Sequence, residues 1–242
     1  MPITKVDVVF SINVHEKVDF LIKQLENIKE FVDLNYTIII NPNKFMYEEI
    51  QKHSYFKNKN NIILNENYLE KKRFHGSLLN GIYRNMLKAI DNYHYKCFII
   101  LSSRNMFYNK LNKINYENLA KIDNGKKYKD IKKKNWHWPK MIKTKLSDYL
   151  KNNNLFYVDC SHEGLTFEYD TTLKLKEFLE KHQNIKDDLF NYNACVEEFA
   201  LQSICLNTTG YFYNIGNGVW NTPKDKISQL PKNRYVYKTN RE

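Results

Sequence analysis

The 242-residue chain carries 38 Lys and Arg against 27 Asp and Glu, a formal net charge of +11, with 18 Tyr and 14 Phe but only 7 Gly and 5 Pro. That composition excludes a collagenous or low-complexity chain and supplies the apolar residues for a packed domain of α/β size. The charge calls for an anionic partner, whether nucleic acid, membrane surface or phosphorylated small molecule. No signal-peptide core and no 18-residue apolar run occurs, so a soluble, cytoplasmic chain is expected.

In chain order, Val6 to Val14 is a β-branched run with the length of a buried strand. Glu16 to Val32 follows as an amphipathic helix with Val18, Leu21, Ile22, Leu25, Ile28 and Val32 on one stripe. Tyr36 to Pro42 reads as a second strand, Phe45 to His53 as a short helix and Asn61 to Asn65 as a third strand. Leu78 to Asn92 reads as a helix and Lys96 to Ser102 as the fourth strand. This alternation predicts βαβ units and a mostly parallel, mixed central sheet flanked by helices, in a Rossmann-type α/β domain. Ligands of such sheets sit at the carboxyl ends of the strands, which places His15, Asn41, Asn65–Glu66 and Ser102–Asn105 on one rim.

The second half differs. Lys110 to Lys145 holds twelve Lys against three acids, and contains Asn135-Trp-His-Trp-Pro139. A strand at Leu155–Asp159 follows, then Ser161-His-Glu-Gly-Leu-Thr166 leading into a helix from Tyr169 to His182. Asn193 is the expected N-cap of an apolar helix reaching Leu206, with Glu197 and Glu198 in its first two turns and Gln202 one turn beyond Glu198. A helix apolar on every side belongs in a core. Its carboxylates must therefore be paired, hydrogen-bonded or functional. Gly210 to Trp220 reads as strands and a turn. No linker splits the chain, so one domain over residues 1–242 is expected. Cys97, Cys160, Cys195 and Cys205 lack zinc spacing and read as buried free thiols.

Several chemistries lack their motifs. There is no GxGxxG and no GxxxxGK[ST], and neither a nucleophile elbow nor a reactive-cysteine context. His137, His162 and Glu163 fit no helix-face metal spacing. The end of the fourth strand, Leu101-Ser-Ser-Arg-Asn-Met-Phe107, has no carboxylate from residue 92 to residue 116. A diphosphate bound there needs Lys or Arg in place of an Asp-x-Asp metal site.

Three segments, in order, resemble the core-2/I-branching N-acetylglucosaminyltransferases, the family-14 glycosyltransferases that include protein xylosyltransferases. They are Phe74-His-Gly-Ser-Leu-Leu-Asn-Gly-Ile-Tyr-Arg-Asn-Met-Leu-Lys-Ala-Ile90, Phe98-Ile-Ile-Leu-Ser-Ser-Arg-Asn-Met-Phe107 and Cys195-Val-Glu-Glu-Phe-Ala-Leu-Gln-Ser-Ile204. The last is similar to that family's "S-P-D-E-x-x-x-x-T-L". Asn105 stands where the family's strand-end motif has Asp, and Val196 where its acidic motif has Pro. The resemblance implies a GT-A fold, a UDP-sugar donor (GlcNAc or xylose), a glycan or protein acceptor, inversion at the anomeric carbon and no metal. Its catalytic base falls on Glu198.

An inverting transfer needs one carboxylate to deprotonate the acceptor hydroxyl and fixed cations or N–H groups for the leaving diphosphate. Glu198 is the candidate base, with Glu197 beside it. Residues 1–107 form the expected nucleotide-sugar half, with Asn13, His15, Asn41, Arg73, Gly76, Ser102, Ser103 and Arg104. The tail residues Lys224, Lys226, Arg234 and Lys238 are candidates to close over the diphosphate. Residues 108–242 form the expected acceptor half, with Trp136, Trp138, Glu163 and Gly164. Two rival readings stay open. One is a non-catalytic polyanion binder, with Lys126–Lys134 and the tryptophans clamping single-stranded nucleic acid. The other is a metal-dependent retaining transferase of the same fold.

Overall fold

The computed structural model describes residues 3–14, 17–113, 115, 119, 126–129, 138–217 and 222–239. Its strands are β1 (Thr4–Asn13), β2 (Val32–Asp33), β3 (Tyr36–Asn41), β4 (Ile62–Leu64), β5 (Tyr93–Ser102), β6 (Asn105–Phe107), β7 (Leu111–Asn112), β8 (Lys126–Tyr128), β9 (Tyr157–Asp159), β10 (Leu165–Glu168), β11 (Tyr213–Asn214) and β12 (Val236–Lys238). The described helices are α1 (Val18–Phe31), α2 (Lys44–Lys52), α3 (Ser77–Asn92), α4 (Trp138–Met141), α5 (Lys145–Asn152), α6 (Tyr169–Lys181), α7 (Gln183–Asn191) and α8 (Ala200–Thr208).

Six strands form one sheet in the order β11-β10-β5-β1-β3-β4. β5, β1, β3 and β4 run parallel, while β10 lies antiparallel on β5 and β11 antiparallel on β10. The expected mixed, mostly parallel α/β sheet is therefore present. Alternation along β1 sends Val8, Phe10 and Ile12 to one face, where they meet Leu21, Leu25 and Ile28 of α1 and Ile50 of α2. Val9 points the other way and joins Phe98, Ile100 and Phe167 beneath α3, α6 and α8. Both faces are covered, which is why these strands read as continuous apolar runs.

Polar residues enter the core where the sheet meets α3. Asn85 donates to Ser11 Oγ at 3.1 Å and to the Ile39 carbonyl at 3.0 Å, and accepts from Asn65 at 3.0 Å. This network fixes α3 across β1, β3 and the end of β4. Parallel register then sets Asn13 level with Asn41 of β3 and Ser102 of β5. Three carboxyl ends thus stand flush, and they form the rim on which the site is built.

The second half departs from the sequence reading in several places. Residues 161–166 do not simply lead into a helix. Gly164 adopts φ +80°, and its N–H donates to the Ile100 carbonyl at 2.8 Å, which lays residues 165–168 along β5 as a strand. The apolar helix begins at Ala200 rather than after Asn193. Val196–Glu198 instead form a turn of 3-10 helix, broken by Phe199 at φ −138°. The Glu197 carbonyl accepts from the Gln202 side chain at 3.2 Å, so it is capped by a side chain where a continuous helix would supply a backbone donor. α7 and the antiparallel pair of β12 with β6 were not anticipated at all. All four cysteines are free thiols, as expected. Among the described residues no helix is long and apolar enough to cross a membrane.

Candidate active site at the carboxyl rim of the sheet

The turn after β5 is braced from beneath by α1. Gln24 Nε2 donates to the carbonyls of Ser102 and Asn105, at 2.8 and 2.9 Å. Asn105 Oδ1 in turn accepts from the Ser102 N–H at 2.6 Å, and its amide donates to the Tyr237 carbonyl at 3.4 Å. Asn105 is therefore a turn cap and a tie to β12, which accounts for an amide at this strand end. Ser103 is buried inside the same turn. Register places Lys238 of β12 opposite Asn105, so the C-terminal strand delivers its lysine to the rim.

Lys238 forms a close ion pair with Glu163, which also accepts from Ser161 Oγ. Burial works against charge on Glu163, but His162, Lys238 and Ser161 outweigh it and hold this carboxyl down at about 2. A permanently ionised, already paired carboxylate is a weak base. Glu163 thus serves as a strut between β10 and β12. Gly164 is a crossing point of backbones, since a Cβ there would lie 2.3 Å from the Gly216 nitrogen.

The neighbouring side chains are differently placed. Gln202 Nε2 donates to the Cys160 carbonyl at 2.8 Å as well as to the Glu197 carbonyl, tying α8 to residues 160–163. This brings His162, Glu197 and Glu198 together, with one ligand-type atom from each lying within 4.8 Å of the others. Glu197 is 3% exposed and its Oε2 has no hydrogen-bond partner. Burial, reinforced by the charge of Glu198, pushes its carboxyl well above the ordinary range. His162 Nδ1 is likewise unpartnered, and burial pushes this imidazole down towards the neutral form. Glu198 is only partly buried. Two adjacent carboxyl groups in such different settings are the arrangement from which separate acid and base roles arise.

The cations are distributed otherwise than the sequence implies. Arg104 donates to the Thr239 carbonyl at 3.0 Å and is 9% exposed, and Arg234 donates to the Asn214 carbonyl. Both, like Lys238, are used to hold the C-terminal segment down. Lys224 and Lys226 are exposed on a 3-10 turn (Lys224–Gln229). Arg73 is exposed with its guanidinium 4.4 Å over the Phe74 ring. Gly76 starts α3 where a Cβ would stand 1.8 Å from the Leu189 carbonyl oxygen, so it is required by packing against α7. Asn13 donates to the Leu78 carbonyl at 2.8 Å and Asn41 to that of Asn67 at 3.1 Å; the side-chain oxygen of each is buried without a partner. His15 and Trp136 lie outside the described residues. Trp138 opens α4, its side chain also outside them.

Sequence reasoning missed Lys71. A Cβ on Gly81 of α3 would meet both Asn13 Oδ1, at 2.4 Å, and Lys71 Cε, at 3.0 Å. Lys71 therefore lies over the carboxyl end of β1. Burial drives its ammonium down to about 7, against the pull of Glu70. A rim cation held largely out of water is a ready anion site. In the sequence it is one of three basic residues, Lys71-Lys72-Arg73, and nothing in their order says which one turns inward. His162 was weighed in the sequence only beside His137 and Glu163, because Glu197 and Glu198 lie 35 and 36 residues downstream, beyond any local motif.

No family model matches this chain, and no curated protein matches it. The core-2/I-branching likeness thus stays a resemblance of three segments. Among solved structures, the mannosyltransferase Ktr4p of S. cerevisiae aligns at 14% identity and a TM-score of 0.33, over 80% of this chain and 55% of that one. This chain thus spans about half of that protein's length.

Proposed function

We propose that the chain transfers a sugar from a nucleotide diphosphate donor to an acceptor hydroxyl, with Glu198 as general base. The observation that carries this reading is the Glu197–Glu198 pair on the carboxyl rim, two strands away from the buried ammonium of Lys71. In this scheme one pyranose lies between the acceptor at Glu198 and its diphosphate at Lys71. Lys71 would take the leaving diphosphate, and the unpartnered oxygens of Asn13 and Asn41 would accept from the nucleoside. Glu198, which keeps contact with water, would draw the proton from a hydroxyl attacking from the opposite face, with inversion. Glu197, held uncharged by its burial, would donate a hydrogen bond to the acceptor rather than compete for its proton.

In this scheme residues 1–107 hold the donor and residues 108–242 the acceptor, and no metal is needed. UDP-GlcNAc or UDP-xylose is the donor implied by the family resemblance. The test is a thermal-shift panel of UDP, GDP, CDP and their sugars, followed by turnover of Glu198→Gln. We expect stabilisation by UDP and a loss of at least about a hundredfold in turnover with UDP binding retained. Wild-type turnover in Glu198→Gln would put the base elsewhere. Affinity for oligonucleotides with no shift from any nucleotide sugar would favour the polyanion-binding reading.

A further inference from the structure

We infer that His162, Glu197 and Glu198 form a binding site for a zinc-class divalent cation, and that occupation of this site switches the proposed transferase off. The second clause rests on Glu198 as the base; the first does not.

The three side chains come from two separate segments, the turn before β10 and the 3-10 turn before α8, and Gln202 bonds both. Their candidate ligand atoms already fall within 4.8 Å of one another. Tetrahedral ligands at ~2.1 Å from a zinc ion stand about 3.4 Å apart, so small side-chain rotations close the site. Independent of that clustering, two buried atoms have nothing to bond. Glu197 Oε2, on a side chain 3% exposed, and His162 Nδ1 both lack a hydrogen-bond partner. Buried polar atoms are nearly always satisfied, and an orphaned carboxylate oxygen beside an orphaned imidazole nitrogen is the polar half of a cation site.

The surroundings favour the same ligand. The charge of Lys238 reaches Glu197, but Lys238 itself is bound to Glu163. Glu163 Oε2 stands 3.8 Å from His162 Nδ1, beyond hydrogen-bond reach, and adds negative charge beside the site. One nitrogen and two carboxylates suit Zn²⁺ or Co²⁺ and disfavour Mg²⁺ and Ca²⁺, which take oxygen ligands. A cation here coordinates Glu198 and removes the carboxylate that would accept the acceptor's proton. Zinc then inhibits, and chelation restores.

The experiment titrates Zn²⁺ into the chelator-treated full chain by calorimetry, with Co²⁺ visible absorption as a second readout and no substrate present. We expect one equivalent to bind at micromolar or lower concentration. Affinity should fall at least tenfold in His162→Ala and in the near-isosteric Glu197→Gln, and stay unchanged in His94→Ala, on the far end of β5. Circular dichroism establishes that each variant is folded. Absence of stoichiometric binding, or binding retained in both His162→Ala and Glu197→Gln, overturns the site. Where transfer is measured, the Zn²⁺ inhibition curve should follow the binding curve, and binding without inhibition overturns the switch. Loss of the transferase reading leaves the binding result standing, so the two failures are distinguishable.

Discussion

Replacing Lys71 by Met tests the donor side directly. Burial brings its ammonium from 10.5 to about 7, partly opposed by Glu70 and assisted by Arg84. Below about 7 both folded and unfolded chains carry the charge, and the folded chain bears the full cost of keeping it from water. Between about 7 and 10.5 the unfolded chain binds a proton that the folded chain lacks, so stability rises with pH through that window. Above it the cost is gone. A gap of that size corresponds to about 4–5 kcal/mol at most, at ~1.36 kcal/mol per unit. Lys71 retains some contact with solvent, and screening trims the expected gain of Lys71→Met at pH 7 to about 2–3 kcal/mol. For a chain of this length that is a rise in Tm of roughly 5–10 °C. Urea unfolding at pH 7 and pH 10 measures it, with most of the gain lost at the higher pH. Equal stabilisation at both values, or none at pH 7, would refute the assignment of a buried, depressed amine. On the functional side, a diphosphate beside Lys71 restores its charge. UDP binding at pH 8 should then take up a proton, seen by calorimetry in buffers of different ionisation enthalpy, and Lys71→Met should abolish the uptake.

The other predictions concern the frame and the chemistry. Gly76→Ala sets a methyl 1.8 Å from the Leu189 carbonyl oxygen, and we expect more than about 2 kcal/mol lost in denaturant unfolding as α3 is pushed off α7. Asn105→Ala leaves the Ser102 N–H without its side-chain acceptor and should lose about 1–3 kcal/mol. Asn105→Asp keeps that acceptor and should recover much of the loss; equal instability in both would remove the capping role. Sugar transfer should survive EDTA undiminished and gain nothing from Mg²⁺. A collapse on chelation that Mn²⁺ reverses would instead establish metal-dependent transfer.

How much of this was readable from residues alone follows the range of the interactions. The four parallel strands and α1 to α3 are each announced by their own periodicity, so the first half and its rim came through with boundaries shifted by a few residues. Position on the rim did not decide use. Arg104, Arg234 and Lys238 look in sequence like spare cations, yet each meets a carbonyl or carboxylate between 20 and 135 residues away. β10 escaped because a four-residue strand next to a helix carries no pattern of its own; the turn at Gly164 creates it, and its partner strand ends 63 residues before it begins.

The two glutamates show most plainly what local pattern leaves undetermined. An apolar run after Asn193 argues for one helix, in which the backbone N–H four residues on would take the Glu197 carbonyl. The break at Phe199 interrupts that ladder and sets residues 196–198 apart as a separate turn. With residues 196–198 wound more tightly and the Glu197 carbonyl taken by Gln202, Glu197 is buried, Glu198 keeps some exposure, and a ligand-type atom of each comes within 4.8 Å of one on His162. The apolar residues Ala200, Leu201, Ile204 and Cys205 meanwhile keep their place in the core. The sequence pattern was therefore right about burial and wrong about the path of the chain through residues 196–199. Restoring a continuous helix through residues 196–206 would leave the core largely intact while returning the Glu197 carbonyl to a backbone donor and re-aiming both glutamates relative to His162, so loss of the three-residue cluster without unfolding is the expected outcome.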